Sequence, residues 1–343
     1  MHINILFKHL LFIIPVMFLM ACVPAGERTE PLLKLVWPPA PAQARVAYDQ
    51  AFGNADDLGI KKGFWQRLGE FIVGREDINM IRPMAVVTNA KGVIFVADPG
   101  VRGIHRFDLD ENQYDLIRLN DDRELPSPVA LAIDQHGNVF VSDSELGKIF
   151  RIATDARYAV ELKLDTELKQ PTGLALDAEH EYLYVVDTAQ HEVLIFKNDQ
   201  LLKRFGQRGK GNGEFNFPTM IWRHADGTIL VTDSLNFRIQ MFDAEGRFLG
   251  KFGELGDASG SQTRPKGVAT DQAGRIYVVD SLFHNIQIFD MRGQFLLDMG
   301  EQGAAAGQFW LPTGIYINAL NKIYVADSYN SRIQVFRYIG AEQ

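Results

Sequence analysis

Residues 265–289 read PKGVATDQAGRIYVVDSLFHNIQIF. A proline opens a short apolar strand, KGVAT, and DQAGR follows as a polar turn whose glycine suits the positive φ of a tight hairpin. RIYVVD is a second strand, dense in β-branched and aromatic residues and closing on Asp280; NIQIF is a third, ending on Phe289. The unit recurs along the chain. Its opening prolines are Pro83, Pro128, Pro171, Pro218, Pro265 and Pro312, spaced by 45, 43, 47, 47 and 47 residues. The second strands read VIFVAD, NVFVSD, YLYVVD, TILVTD, RIYVVD and KIYVAD, ending on Asp98, Asp143, Asp187, Asp233, Asp280 and Asp327. A period in the forties with about four short strands per unit is the pattern of a propeller blade. The expected fold is all-β, a six-bladed β-propeller.

Ring closure is also readable. Blades 3 to 5 run on into outer strands, LLKRFGQ, RFLGKFGE and QFLLDMGE, whereas blade 6 ends at Tyr338 with nothing left to supply one. RVAYDQAFG at 45–53 has the matching pattern, so this N-terminal segment is predicted to be the outer strand of the last blade. The propeller then spans 45–340, interrupted at 54–81. There Phe64, Trp65, Leu68, Phe71 and Ile72 fall at helical spacing beside Lys61, Lys62, Arg67 and Arg75. A helix flanking or plugging the propeller is expected; a membrane-surface helix is the alternative.

The units resemble NHL repeats, including the stretch after each Asp: DTAQHEVLIF, DSLNFRIQMF, DSLFHNIQIF and DSYNSRIQVF. The resemblance covers residues 82–338, with DPGVRGIHRF of blade 1 and DSELGKIFRI of blade 2 departing most. Some relatives bind nucleic acid or serve in ubiquitin ligases. A net charge of −8 disfavours the first, and a single cysteine cannot build a RING-type cluster.

The first residues have the layout of an export signal. Lys8 precedes an apolar run from Leu10 to Met20, and Leu19-Met20-Ala21-Cys22 resembles the bacterial lipobox. Residues 1–21 are read as a lipoprotein signal peptide and Cys22 as the lipidated residue. Residues 22–44 then form a tether, with five of the chain's 14 prolines between Pro24 and Pro41. Val23 is not the aspartate linked to inner-membrane retention, so the resemblance implies a lipid anchor in the outer membrane, facing the periplasm of a bacterial envelope. Trp37 touches either lipid or the folded domain.

A residue type present in every unit serves the fold; departures from it are candidates for function. The six strand-ending aspartates repeat, and turn capping is their expected role. The innermost strands, MAVVT, VALAI, TGLAL, TMIWR, KGVAT and TGIYI, contain no Asp, Glu, His, Asn or Cys, and Arg223 and Lys266 are their only charges. That is poor ground for a hard cation or for zinc. Six-bladed lactonases resembling gluconolactonase place acidic and amide ligands there, and amidating lyases of similar shape use His-bound zinc. No cofactor is expected, although loop residues or backbone carbonyls could hold one calcium or zinc. His105, His136, His180, His191, His224 and His284 are scattered, and His191 and His284 share one repeat position that suits a hydrogen-bonding role. GKGNG in 207–215 mimics a phosphate loop but joins two blades, so it is read as a connector. Trp222 and Tyr316 replace a small residue of other blades, filling volume or shaping the channel wall.

Departures gather in the loops after each Asp and beside each opening proline, which should share the face around the channel mouth. Leu146, Leu235, Phe237, Leu282, Phe283 and Tyr329 put apolar groups there, next to Arg82, Arg102, Arg264 and Lys266. Apolar anchors rimmed by cations suit a protein or peptide interface. The reading is a monomeric, non-enzymatic scaffold for an unidentified envelope protein or peptide. A metal-assisted hydrolase or lyase is the first alternative, and a carbohydrate or cell-wall binder the second.

Overall fold

The second strand of each repeat is buried on both faces, as in Ile94–Asp98, Ile229–Asp233 and Ile276–Asp280. Outer strands such as Phe248–Phe252 and Phe295–Met299 instead alternate between half-buried and exposed residues. Continuous apolar runs therefore sit between packed sheets, and alternating runs face solvent at the rim. The computed structural model describes residues 35–60, 78–120 and 123–340. The signal peptide, Cys22 and residues 61–77 of the helical insertion expected over 54–81 lie outside the described residues. Asp56–Leu58 forms one turn of 3-10 helix, and no helix among the described residues is long and apolar enough to cross a membrane.

The strands form antiparallel four-stranded meanders arranged as a β-propeller. Their innermost strands are Ala85–Thr88, Pro128–Ile133, Pro171–Asp177, Pro218–Arg223, Pro265–Thr270 and Ile315–Ile317. Each lies against the next, and the last returns to the first. Glycine makes that approach possible. A Cβ on Gly267 would lie 2.6 Å from the Thr313 carbonyl oxygen, and one on Gly314 would lie 2.3 Å from that of Met84. Between blades the core is aromatic: Phe205 and Phe242 are 4.9 Å apart between centroids, and Phe252 and Phe289 are 4.8 Å apart.

Closure follows the sequence expectation. Val46–Phe52 pairs antiparallel with Arg332–Tyr338, from Val46 opposite Tyr338 to Phe52 opposite Ile333. Val36–Trp37 then adds a fifth strand outside it, and the Trp37 ring meets Phe336 edge-on at 5.6 Å. Trp37 thus rests on the folded domain.

Blades 1 and 2 hold a feature that the repeat did not announce. Their outer strands, Gln113–Leu119 and Tyr158–Glu161, pair in parallel through Arg118–Tyr158 and Leu119–Ala159 and join two meanders into one eight-stranded sheet. These are the repeats with the shorter spacings. They lack the glycine-rich connector whose bridges, Arg208–Phe215, Leu255–Gln262 and Gln302–Phe309, recur after blades 3, 4 and 5. The recurrence also makes GKGNG a blade connector: Glu214 accepts the Gly211 N–H at 2.8 Å.

Candidate functional site

The channel mouth is built on the six strand-ending aspartates, all fully buried. Each accepts backbone N–H groups from the segment before its own opening proline. Asp98 takes Ile81 and Arg82, Asp143 takes Ser127, and Asp187 takes Lys169 and Gln170. Asp233 takes Asn216, Asp280 takes Thr263 and Arg264, and Asp327 takes Trp310. A buried carboxylate is tolerable when several donors share it. The next residue then staples neighbouring blades. Hydroxyls of Thr188, Ser234, Ser281 and Ser328 donate to the carbonyls of Pro218, Pro265, Pro312 and Pro83 at 2.5–2.7 Å. Four of the six opening prolines are thereby tied to the preceding blade.

At the channel mouth lies a cavity of about 420 Å³ lined by Arg82, Arg264, Lys266, Leu282 and Tyr329, together with Met84, Val129, Leu311 and Thr313. Five of the ten candidate residues converge here. Leu282 and Tyr329 are each about half exposed, and Trp310 stands 6.3 Å from Tyr329 between ring centroids. Among the described residues, Arg82, Arg264 and Lys266 have no carboxylate partner. Burial, and secondarily the charge of Arg264, hold the Lys266 ammonium below its ordinary pKa. In blades 3, 4 and 6 the residue after the proline is threonine. Thr172 bonds Thr188 at 2.7 Å and Thr313 bonds Ser328 at 2.7 Å. Lys266 is blade 5's departure from that pattern.

The other five candidates lie elsewhere. Arg102 is ion-paired with Glu124 on the surface, a contact of small energetic value. Leu146 lines a depression with Leu162, Leu164 and Leu168. Phe283 lines another with Asp257, Ser259, Phe295 and Asp298. Leu235 and Phe237 are half-buried around the turn Ser234–Asn236, Phe237 at φ 56°. Sequence reasoning passed over Ile81 and Trp310, both about half exposed beside the opening prolines. Their signal was their position, two residues before Pro83 and Pro312.

Deeper in the channel is a second cavity, about 240 Å³, walled by aliphatic residues of the inner strands and by Trp222, Arg223 and Tyr316. Trp222 and Tyr316 meet edge-on at 5.9 Å. Trp222 Nε1 donates to Thr270 Oγ1 at 2.9 Å, and the Tyr316 hydroxyl donates to the Thr88 carbonyl at 3.1 Å. They shape the channel wall and fill it. Among the described residues, neither cavity is lined by a carboxylate or an imidazole.

The histidines serve local structure. Nδ1 of His191 accepts the Phe217 N–H, and Nδ1 of His284 accepts that of Leu311, each at 3.1 Å. His105 lies between the Tyr114 hydroxyl, at 2.9 Å, and Asp98. His224 bonds Thr270 Oγ1 at 2.8 Å. Among the described residues, Asp177, Glu179 and His180 cluster closely enough to hold a metal ion. The carboxylate at its centre is already engaged: Arg223 Nε and His180 Nδ1 lie 2.9 and 2.8 Å from Asp177 Oδ2. Burial raises the Asp177 pKa, but these two partners outweigh it and leave the carboxyl below its ordinary value. The guanidinium occupies the place a cation would take.

The NHL repeat family matches residues 309–336 of the chain. None of the curated proteins matches it in sequence. Among solved structures, virginiamycin B lyase from Staphylococcus aureus superposes with a TM-score of 0.56 at 16% identity, over 76% of this chain and 98% of its own. A Bacteroides thetaiotaomicron protein of unknown function gives 0.62 at 13% identity, over 85% and 75%. An auxiliary nutrient binding protein from the same organism gives 0.59 at 12% identity, over 77% and 70%. Identities this low establish the shared fold alone. Repeat and superposition agree on a β-propeller, and residues 309–336 of this chain carry an NHL repeat.

Proposed function

We propose that this protein is a binding module without catalysis, held at the bacterial envelope by a lipid on Cys22, which engages a protein or peptide through its channel mouth. One observation carries the reading: Arg82, Arg264 and Lys266, which no carboxylate among the described residues pairs, share a cavity with the half-exposed Leu282 and Tyr329. Apolar anchors beside cations and over a rigid floor are the composition of protein-recognition surfaces. The lyase likeness supplies a fold, whereas among the described residues the cavity linings hold no carboxylate or imidazole for acid–base work. The outer membrane, with the propeller facing the periplasm, is the location we assign, because Val23 follows the lipidated cysteine.

The test is cross-linking in the envelope with the R264Q/K266T/Y329A variant. These three side chains lie outside the staple network, so the variant is expected to melt within a few degrees of wild type while losing its partner adducts. Retained adducts with a folded variant would remove the mouth as the binding face.

A further inference from the structure

The mouth carries positive charge that the carboxylates of the described residues do not offset. The chain is acidic overall, with 43 Asp and Glu against 35 Lys and Arg, yet no carboxylate among the described residues answers Arg82, Arg264 or Lys266. Elsewhere several buried and half-buried arginines are paired, Arg106 with Asp108 and Asp115, Arg238 with Asp233, and Arg275 with Asp271. Arg82 and Arg264 are exposed and Lys266 is half-buried, so the cost of the like charge of Arg264 falls on Lys266. At the matching position three other blades place a threonine that the fold uses. The scaffold therefore has a neutral solution available at residue 266, and lysine departs from it.

We infer that the mouth cavity is a carboxylate-recognition site for an acidic peptide segment, with Lys266 and Arg264 meeting an Asp or Glu side chain and Arg82 closing the opposite wall. This deepens the binding reading above and rests on it. A small inorganic anion is a poorer fit, since it would leave the apolar rim of Ile81, Leu282, Trp310 and Tyr329 exposed. A peptide that sets an apolar side chain beside its acidic one satisfies both halves of the surface. The entering carboxylate replaces the water lost by Lys266 and restores the balance that crowding with Arg264 disturbs.

The test is selection of a random heptapeptide display library on the detergent-solubilised full-length chain, with K266T and R264Q as counter-targets. The selected pool is expected to enrich Asp and Glu next to Leu or Phe. A synthesised winner should bind wild type about tenfold more tightly than K266T, and changing its acidic residue to the amide should cost the same factor in wild type but little in K266T. K266T is also expected to melt slightly higher than wild type, because it removes self-repulsion; a purely structural lysine would move the melt the other way. A neutral or basic pool that still competes at the mouth overturns the carboxylate inference and leaves the binding reading standing. An absence of any enrichment overturns both. Displacement of the peptide by equimolar inorganic phosphate would make the mouth a phosphate site and overturn the peptide assignment.

Discussion

Asp327 accepts the Trp310 N–H at 2.8 Å, Asn330 Nδ2 at 2.9 Å, Arg332 Nε at 2.8 Å and Gln334 Nε2 at 3.0 Å. Five counterparts hold related sets of donors, and their repetition in every unit was enough to read them as structural. His191 was legible for the same reason, because His284 occupies its equivalent place. Nδ1 of His191 must be unprotonated to accept the Phe217 N–H, and burial together with Arg208 holds its pKa below the ordinary value. A depressed folded-state pKa means the contribution is complete above about pH 6.5 and is lost as pH falls through the folded value. H191N tolerates the positive φ of 58° and has no titrating group. Urea midpoints measured between pH 7.5 and 5 should fall less steeply for H191N than for wild type; equal slopes would separate the ring from the acid response. Single residues at the mouth were less legible. Whether an apolar residue beside a proline packs between blades or faces the channel depends on the neighbouring blade, which is why Leu146 and Phe283 lie outside the cavity and Trp310 lies at its rim.

At the scale of elements, strand positions followed from the repeated runs of β-branched and aromatic residues and from turn glycines, and Val46–Phe52 was assigned to blade 6 by counting outer strands. The parallel contact between blades 1 and 2 was not legible, since an edge-to-edge pairing of two residues leaves no periodic trace. The closing strand has a thermal consequence. It buries Val46, Ala47 and Phe52 and covers the backbone edge of Arg332–Tyr338. A chain lacking residues 44–53 should melt roughly 10 °C or more below the full chain, the loss of several kcal/mol of burial and pairing. Differential scanning calorimetry decides it, and an unchanged melting temperature would show that the ring closes without that strand.

For the whole molecule, the aspartate floor and the Ser/Thr staples make the mouth rigid before any ligand arrives, so little ordering cost attends binding. The same scaffold leaves the channel apolar. With no carboxylate or imidazole among the described residues lining either cavity, protein purified without chelators should carry no stoichiometric calcium or zinc by elemental analysis; one tightly held ion per chain would revive a hydrolase or lyase reading. The most direct test of the mouth as the binding face is hydrogen–deuterium exchange on the full chain with and without a selected acidic peptide. Slowed exchange confined to residues 81–84, 264–266, 281–283, 310–313 and 328–329 is the expected result. Protection at the outer strands or at the first-hairpin turns, with the mouth unchanged, would contradict it.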